Sequence, residues 1–112
     1  VPGLVYSFLS NFPDMTAICA HWGGGLPFYT LMPEVRETLK NVYFDTAASP
    51  FLYRPEIYRQ VARLAGAEKV LFGSDYPVMS PARVIDEIRR ADVTEKEREL
   101  ILSGNACRLL GK

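Results

Sequence analysis

Three short apolar runs recur along the chain, at residues 16–21 (TAICAH), 41–47 (NVYFDTA) and 69–75 (KVLFGSD). They are rich in β-branched and aromatic side chains and are bounded by turn residues, which predicts strands. None alternates cleanly between apolar and polar positions. Near-continuous hydrophobicity is what a parallel strand buried on both faces requires. The segments between the runs repeat apolar positions at helical spacing. Residues 26–40 carry Leu31, Val35 and Leu39, with Pro27 and Pro33 disturbing the first turns. Residues 55–66 set Ile57, Val61 and Leu64 on one stripe, start at Pro55 and can stop at Gly66. Residues 3–12, with Leu4, Phe8 and Leu9, predict a helix ahead of the first strand. After the third strand, Ser80-Pro81 reads as an N-cap followed by the first helical position, with Val84, Ile85 and Ile88 facing inward. Thr94 and Glu97 have the spacing of a capping box. Asn105 reads as the cap of a last short helix that holds Ala106, Leu109 and Leu110.

Strands separated by helices, recurring about every 25 residues, predict βα units and an α/β fold with a parallel sheet. Three strands alone leave two open edges and a thin core. A closed (β/α)8 barrel takes about 250 residues, and this chain has 112. The pattern therefore predicts either a small open α/β module or the end of a barrel.

Composition narrows the function classes. Apolar residues make up 48% of the chain, enough for a packed core. Thirteen basic residues balance thirteen acidic ones, so no charge footprint points to nucleic acid or to an anionic membrane. No apolar run reaches the length of a membrane span. The opening VPGLVYSF has no basic n-region, which predicts no signal peptide, and it has no starting Met, which is expected of a chain that was cut or incompletely read. Cys19 and Cys107 both sit in apolar stretches. They read as reduced core cysteines of a cytoplasmic protein, with a disulfide or a metal pair as the rival reading.

The polar residues gather at the strand ends. His21 closes the first strand and precedes Trp22 and Gly23-Gly24-Gly25; Asp45 lies near the end of the second; Asp75 closes the third. In a parallel α/β protein those ends form one face, where active sites sit, so the three side chains are expected at one site. His21, the only histidine, can serve as a general acid or base or as a metal ligand. Asp75 can bind a divalent cation or accept a proton. Asp45 reads equally well as structural or functional. The HWGGG run does not match either glycine-rich phosphate-binding spacing, and Pro27 removes an N–H from the helix start. Trp22, Phe28, Tyr29 and Tyr76 are candidates to line a pocket for a planar substrate, although core packing explains aromatics equally well.

In this order, the segments NFPDMTAICAHWGGGLPF, VYFDTA, KVLFGSDYP and GNACRLLG resemble the end of the amidohydrolase-related family. That family comprises TIM-barrel metal-dependent hydrolases and decarboxylases, aminocarboxymuconate-semialdehyde decarboxylase among them. The resemblance covers essentially the whole chain. It implies that residues 16–21, 41–47 and 69–75 are barrel strands six to eight, so that residues 1–112 form the C-terminal part of one (β/α)8 domain. It further implies that His21 and Asp75 are catalytic, His21 acting on substrate or metal-bound water, and that Asp75 ligates a divalent metal, usually zinc and sometimes manganese. The family's other ligands, a His-x-His pair at strand one and a histidine at strand five, have no counterpart here. The chain alone is therefore expected to be inactive. The intact protein is expected to act on a small carboxylic acid, lactone or amide, by hydrolysis or non-oxidative decarboxylation. It would contain a missing N-terminal half or assemble as a homo-oligomer. The rival from another class is a non-catalytic α/β module that binds a ligand or complements a separate half.

Overall fold

The structure is a computed structural model and describes residues 2–112. Helix α1 (Pro2–Ser10) leads into strand β1 (Ala17–Cys19), and a run of left-handed and 3₁₀ turns over His21–Tyr29 follows. Helix α2 (Pro33–Thr38) returns the chain to β2 (Val42–Asp45). Helices α3 (Ser49–Leu52) and α4 (Ile57–Val61), the latter widened into a π turn at Ala62–Gly66, then lead to β3 (Val70–Leu71). Helix α5 (Pro81–Arg90) precedes a last rod made of α6 (Glu95–Glu99), a π turn at Leu100–Gly104, and α7 (Asn105–Leu109).

The sheet has three strands in the order β1-β2-β3, all parallel. Ile18 pairs with Tyr43, Cys19 with Phe44, Phe44 with Val70, and Asp45 with Leu71. Each strand is shorter than its apolar run, and after β3 the ladder changes partners. The Phe72 N–H donates to the Ile101 carbonyl in the last helical rod rather than to β2. The buried Thr46 hydroxyl continues the β2–β3 contact, donating to the Gly73 carbonyl at 2.8 Å and accepting the Gly73 N–H at 3.0 Å. Residues 73–75 are thereby released from the sheet yet tethered to it.

The covered face of the sheet presents Val42, Phe44 and Val70, each at most 2% exposed, to Trp22, Leu26, Val61, Val84, Ile88 and Ile101. The other face is open. Ile18 is 57% exposed, and its register partner Tyr43 is half-buried beneath the Lys69 ammonium. The expectation that the strands are buried on both faces thus holds for one face of β1 and β2 among the described residues. Three helix details also differ from the pattern. Pro33 restarts the chain as a separate helix, so Val35 and Leu39 are buried while Leu31 is exposed. Among the described residues of α1 only Leu9 is buried; Leu4 and Phe8 face outward. Asn105 is not a cap. The π turn carries the helix through Gly104, and the buried Asn105 amide donates to the carbonyls of Ala67 at 2.7 Å and Val70 at 2.8 Å. The capping box at Thr94 and Glu97 does form, at 2.8 and 3.1 Å.

Candidate active site

The loops leaving the C-terminal edge of the sheet carry the polar residues. Beyond β1 the backbone enters the left-handed region and stays there for five residues, with φ of 55° at His21, 59° at Trp22, and 62°, 64° and 97° at the three glycines. Glycine adopts this conformation freely, whereas each of the two larger residues does so at a cost of about 1–3 kcal/mol. Burial of Trp22 offsets that cost. Its indole N–H donates to Ser49 Oγ at 2.7 Å, its ring meets Tyr58 edge-on at 5.3 Å, and the Ser49 hydroxyl donates onward to the Thr46 carbonyl. Gly23 lies against the sheet, where a Cβ would come within 2.9 Å of Phe44. The three glycines therefore form a close-packed turn that presents His21.

From that turn the His21 imidazole reaches the loop after β2. Its Nδ1 lies 3.1 Å from the Ala47 carbonyl. A carbonyl only accepts, so Nδ1 carries a proton. Nε2 faces outward, 3.9 Å from Asp75 Oδ2. Asp75 is also left-handed, with φ of 69°. When the imidazole is neutral, the Nε2 lone pair and the Asp75 carboxylate face each other as two acceptors, an arrangement that a hydrogen-bond donor or a cation can bridge. When it is protonated, the two form a half-exposed ion pair, weakened by solvent.

Among the described residues, the non-glycine residues with left-handed backbone are His21, Trp22, Ala48 and Asp75. His21, Ala48 and Asp75 line one open depression of about 550 Å³, together with Gly24, Phe51, Leu52, Tyr53 and Val78. Strained backbone gathered in one cleft is a hallmark of functional loops.

Two expectations are corrected here. Asp45 does not face the depression alongside His21 and Asp75. Its Oδ1 accepts the backbone N–H of His21 and that of Ala47, each at 3.0 Å. An Asp that accepts from the residue two positions on is a turn pattern readable in DTA; the bond to His21 is not. The aromatic lining also differs. Trp22 is core, Phe28, Tyr29 and Tyr76 lie exposed away from the depression, and Phe51 and Tyr53 line it instead.

The donor set of this chain does not complete a metal site. Among the described residues no three His, Cys, Asp or Glu side chains converge as ligands, whereas zinc takes at least three from protein. Asp75 and His21 supply two at most. Cys19 adds none, because burial first, and the Asp45 charge second, push its thiol upward and keep it protonated. Both cysteines are free, and Cys107 is exposed rather than in the core. No helix among the described residues is long and apolar enough to cross a membrane.

The sequence matches the family described as Amidohydrolase over residues 1–112. The chain belongs to the amidohydrolase family. Solved structures resemble this amidohydrolase chain closely in fold. A 5-carboxyvanillate decarboxylase from Sphingomonas paucimobilis is 20% identical with a TM-score of 0.78, over 94% of this chain and 38% of the other. A dihydroxybenzoic acid decarboxylase from Polaromonas sp. JS666, with bound manganese and the inhibitor 2-nitroresorcinol, is 18% identical with a TM-score of 0.82, over 98% and 39%. A TIM-barrel protein from Bordetella bronchiseptica is 24% identical with a TM-score of 0.74, over 98% and 39%. The amidohydrolase chain thus spans about two fifths of these structures. No curated protein matches its sequence.

Proposed function

We propose that residues 1–112 form strands six to eight, the C-terminal part of a single (β/α)8 amidohydrolase domain, and that the intact protein is a metal-dependent enzyme acting on a small carboxylic acid. Non-oxidative decarboxylation is the favoured reaction, with hydrolysis of a lactone or amide as the alternative. The observation that carries the reading is the pairing of His21 Nε2 with Asp75 Oδ2 across an open depression, both side chains held by left-handed backbone at the sheet's C-terminal edge. The two decarboxylases among the structural neighbours support the choice of reaction.

Asp75 would supply one ligand to a divalent cation, zinc or manganese, whose role when bound is to polarise substrate oxygens; the remaining ligands come from outside these residues. His21 orients the substrate and, when protonated on both ring nitrogens, delivers the Nε2 proton to the carbon bearing the carboxylate. The carbon–carbon bond then breaks, its electron pair returns to the substrate carbon, and carbon dioxide leaves. Nε2, left with its lone pair, regains a proton that the Asp75 carboxylate relays from solvent water. Phe51 and Tyr53 offer apolar surface against a flat substrate.

The test is turnover by the full-length protein on hydroxylated benzoates, followed as carbon dioxide release, beside a panel of lactones and amides. His21→Gln is expected to lower kcat by about 10²–10⁴-fold. Asp75→Asn is expected to reduce bound metal as well as turnover. Hydrolysis without carbon dioxide release would move the protein to the alternative reaction. Full activity in both variants would overturn the reading.

A further inference from the structure

The one carboxylate at the sheet edge that the proposed chemistry leaves unused is that of Asp45. It lies at the end of β2, between the loops that carry His21 and Asp75, on the open side opposite Gly73. A Cβ on Gly73 would meet the Asp45 Cβ and Cγ at 3.4 Å, in ordinary van der Waals contact, so the two residues lie side by side. Both structured hydrogen bonds to Asp45 end on one atom, Oδ1, which takes the N–H of His21 and the N–H of Ala47 at 3.0 Å each. The second of these residues also matters for the imidazole, because the Ala47 carbonyl is the partner of His21 Nδ1. One oxygen thus registers the backbone of His21 and the residue that receives its ring proton. Charge-assisted bonds to backbone N–H groups are the stronger kind.

We propose that Asp45 is a positioning residue. Its Oδ1 fixes His21 in its left-handed conformation against Ala47, and so holds the neutral imidazole as the Nδ1–H tautomer with the Nε2 lone pair aimed at Asp75. A free imidazole in water prefers the opposite tautomer, so the fold has to impose this one. The catalytic meaning of the arrangement rests on the reading of His21 as the acid–base residue; the tautomer itself does not.

Because the constraint needs an acceptor oxygen rather than a charge, two substitutions separate it from other roles. Asp45→Asn keeps an oxygen where Oδ1 stands, and Asp45→Ala removes it. The experiment is long-range proton–nitrogen correlation on the full-length protein carrying ¹⁵N-histidine, at a pH where the ring is neutral, with the His21 signals identified by their loss in His21→Gln. The wild type and Asp45→Asn are expected to show the Nδ1–H pattern. Asp45→Ala is expected to show mixed tautomers and a fall in kcat of about 10–100-fold, the size typical of lost supporting contacts. Loss of the pattern in Asp45→Asn would mean that the charge matters, and its persistence in folded Asp45→Ala would mean that Asp45 does nothing to the ring; either result overturns the proposal. Should Asp45→Ala fail to fold, couplings through the hydrogen bonds from the His21 and Ala47 amides to Asp45 Cγ in the wild type decide instead, their absence counting against it. An intact Nδ1–H pattern without turnover on any carboxylic acid, lactone or amide would sink the enzymatic reading and leave Asp45 in its role. Turnover with the Nε2–H tautomer would do the reverse.

Discussion

Several polar residues here work through the backbone they bind rather than through solvent-facing chemistry. Asn105 is the clearest stabilising case. Its two donors satisfy the Ala67 and Val70 carbonyls at the start of β3, where the chain leaves a helical turn and no ladder partner is at hand. A buried carbonyl that loses its donor costs about 1–3 kcal/mol. Asn105→Ala is therefore expected to destabilise the protein by about 2–4 kcal/mol, measured as a shift in the urea unfolding midpoint at unchanged slope. An effect under about 0.5 kcal/mol, the range of ordinary surface changes, would show that water takes over these carbonyls. Asp45 and Thr46 act at the opposite end of the sheet in the same manner. Chemistry-bearing types were readable at His21 and Asp75 from their place at strand ends. The targets of Asn105 lie more than thirty residues away in the chain, so no local pattern could reveal them.

At the scale of elements, the turn after β1 decides the most. It has to reverse the chain within a few residues, bury Trp22 and leave His21 at the rim. The left-handed run does all three, and it depends on Gly23, whose φ is +62° and whose Cα lies against the Phe44 ring. Gly23→Ala is expected to cost about 1–3 kcal/mol from overpacking and backbone strain together, read from thermal unfolding. Gly25→Ala is the control for backbone strain alone: its φ is +97°, but its nearest neighbours are 3.9 Å away. Equal losses in both variants would show that the contact with Phe44 is unimportant. The positions of the elements followed from hydrophobic period. Their lengths did not, because long-range partners take the N–H groups just past β1 and β3, as Asp45 does for His21, Ile101 for Phe72 and Thr46 for Gly73.

Across the whole molecule, the asymmetry of the sheet has the largest consequence. Helices cover one face, while Ile18 and half of Tyr43 remain open on the other, and β1 is an edge strand, whereas the outer edge of β3 is met by Ile101 and Asn105. Exposed apolar faces and unpaired parallel edges promote association. The 112 residues expressed alone are expected to self-associate, with sedimentation showing species larger than a monomer and dye binding showing exposed apolar surface. A monomer with a cooperative thermal transition would contradict this.

The sequence by itself determined which segments become strands and helices, their parallel order, and the pair of side chains offered for chemistry. Those properties follow from periodicity and turn residues, which act locally, and from a motif order read as a family resemblance. Tertiary structure decided what each polar residue does. It bound Asp45 to the backbone of His21, gave Asn105 to the base of β3, sent Trp22 into the core and brought Phe51 and Tyr53 to the depression. The physical reason is that a hydrogen bond or a buried contact depends on which atoms meet in space, and those meetings join residues that hydrophobic pattern leaves unrelated.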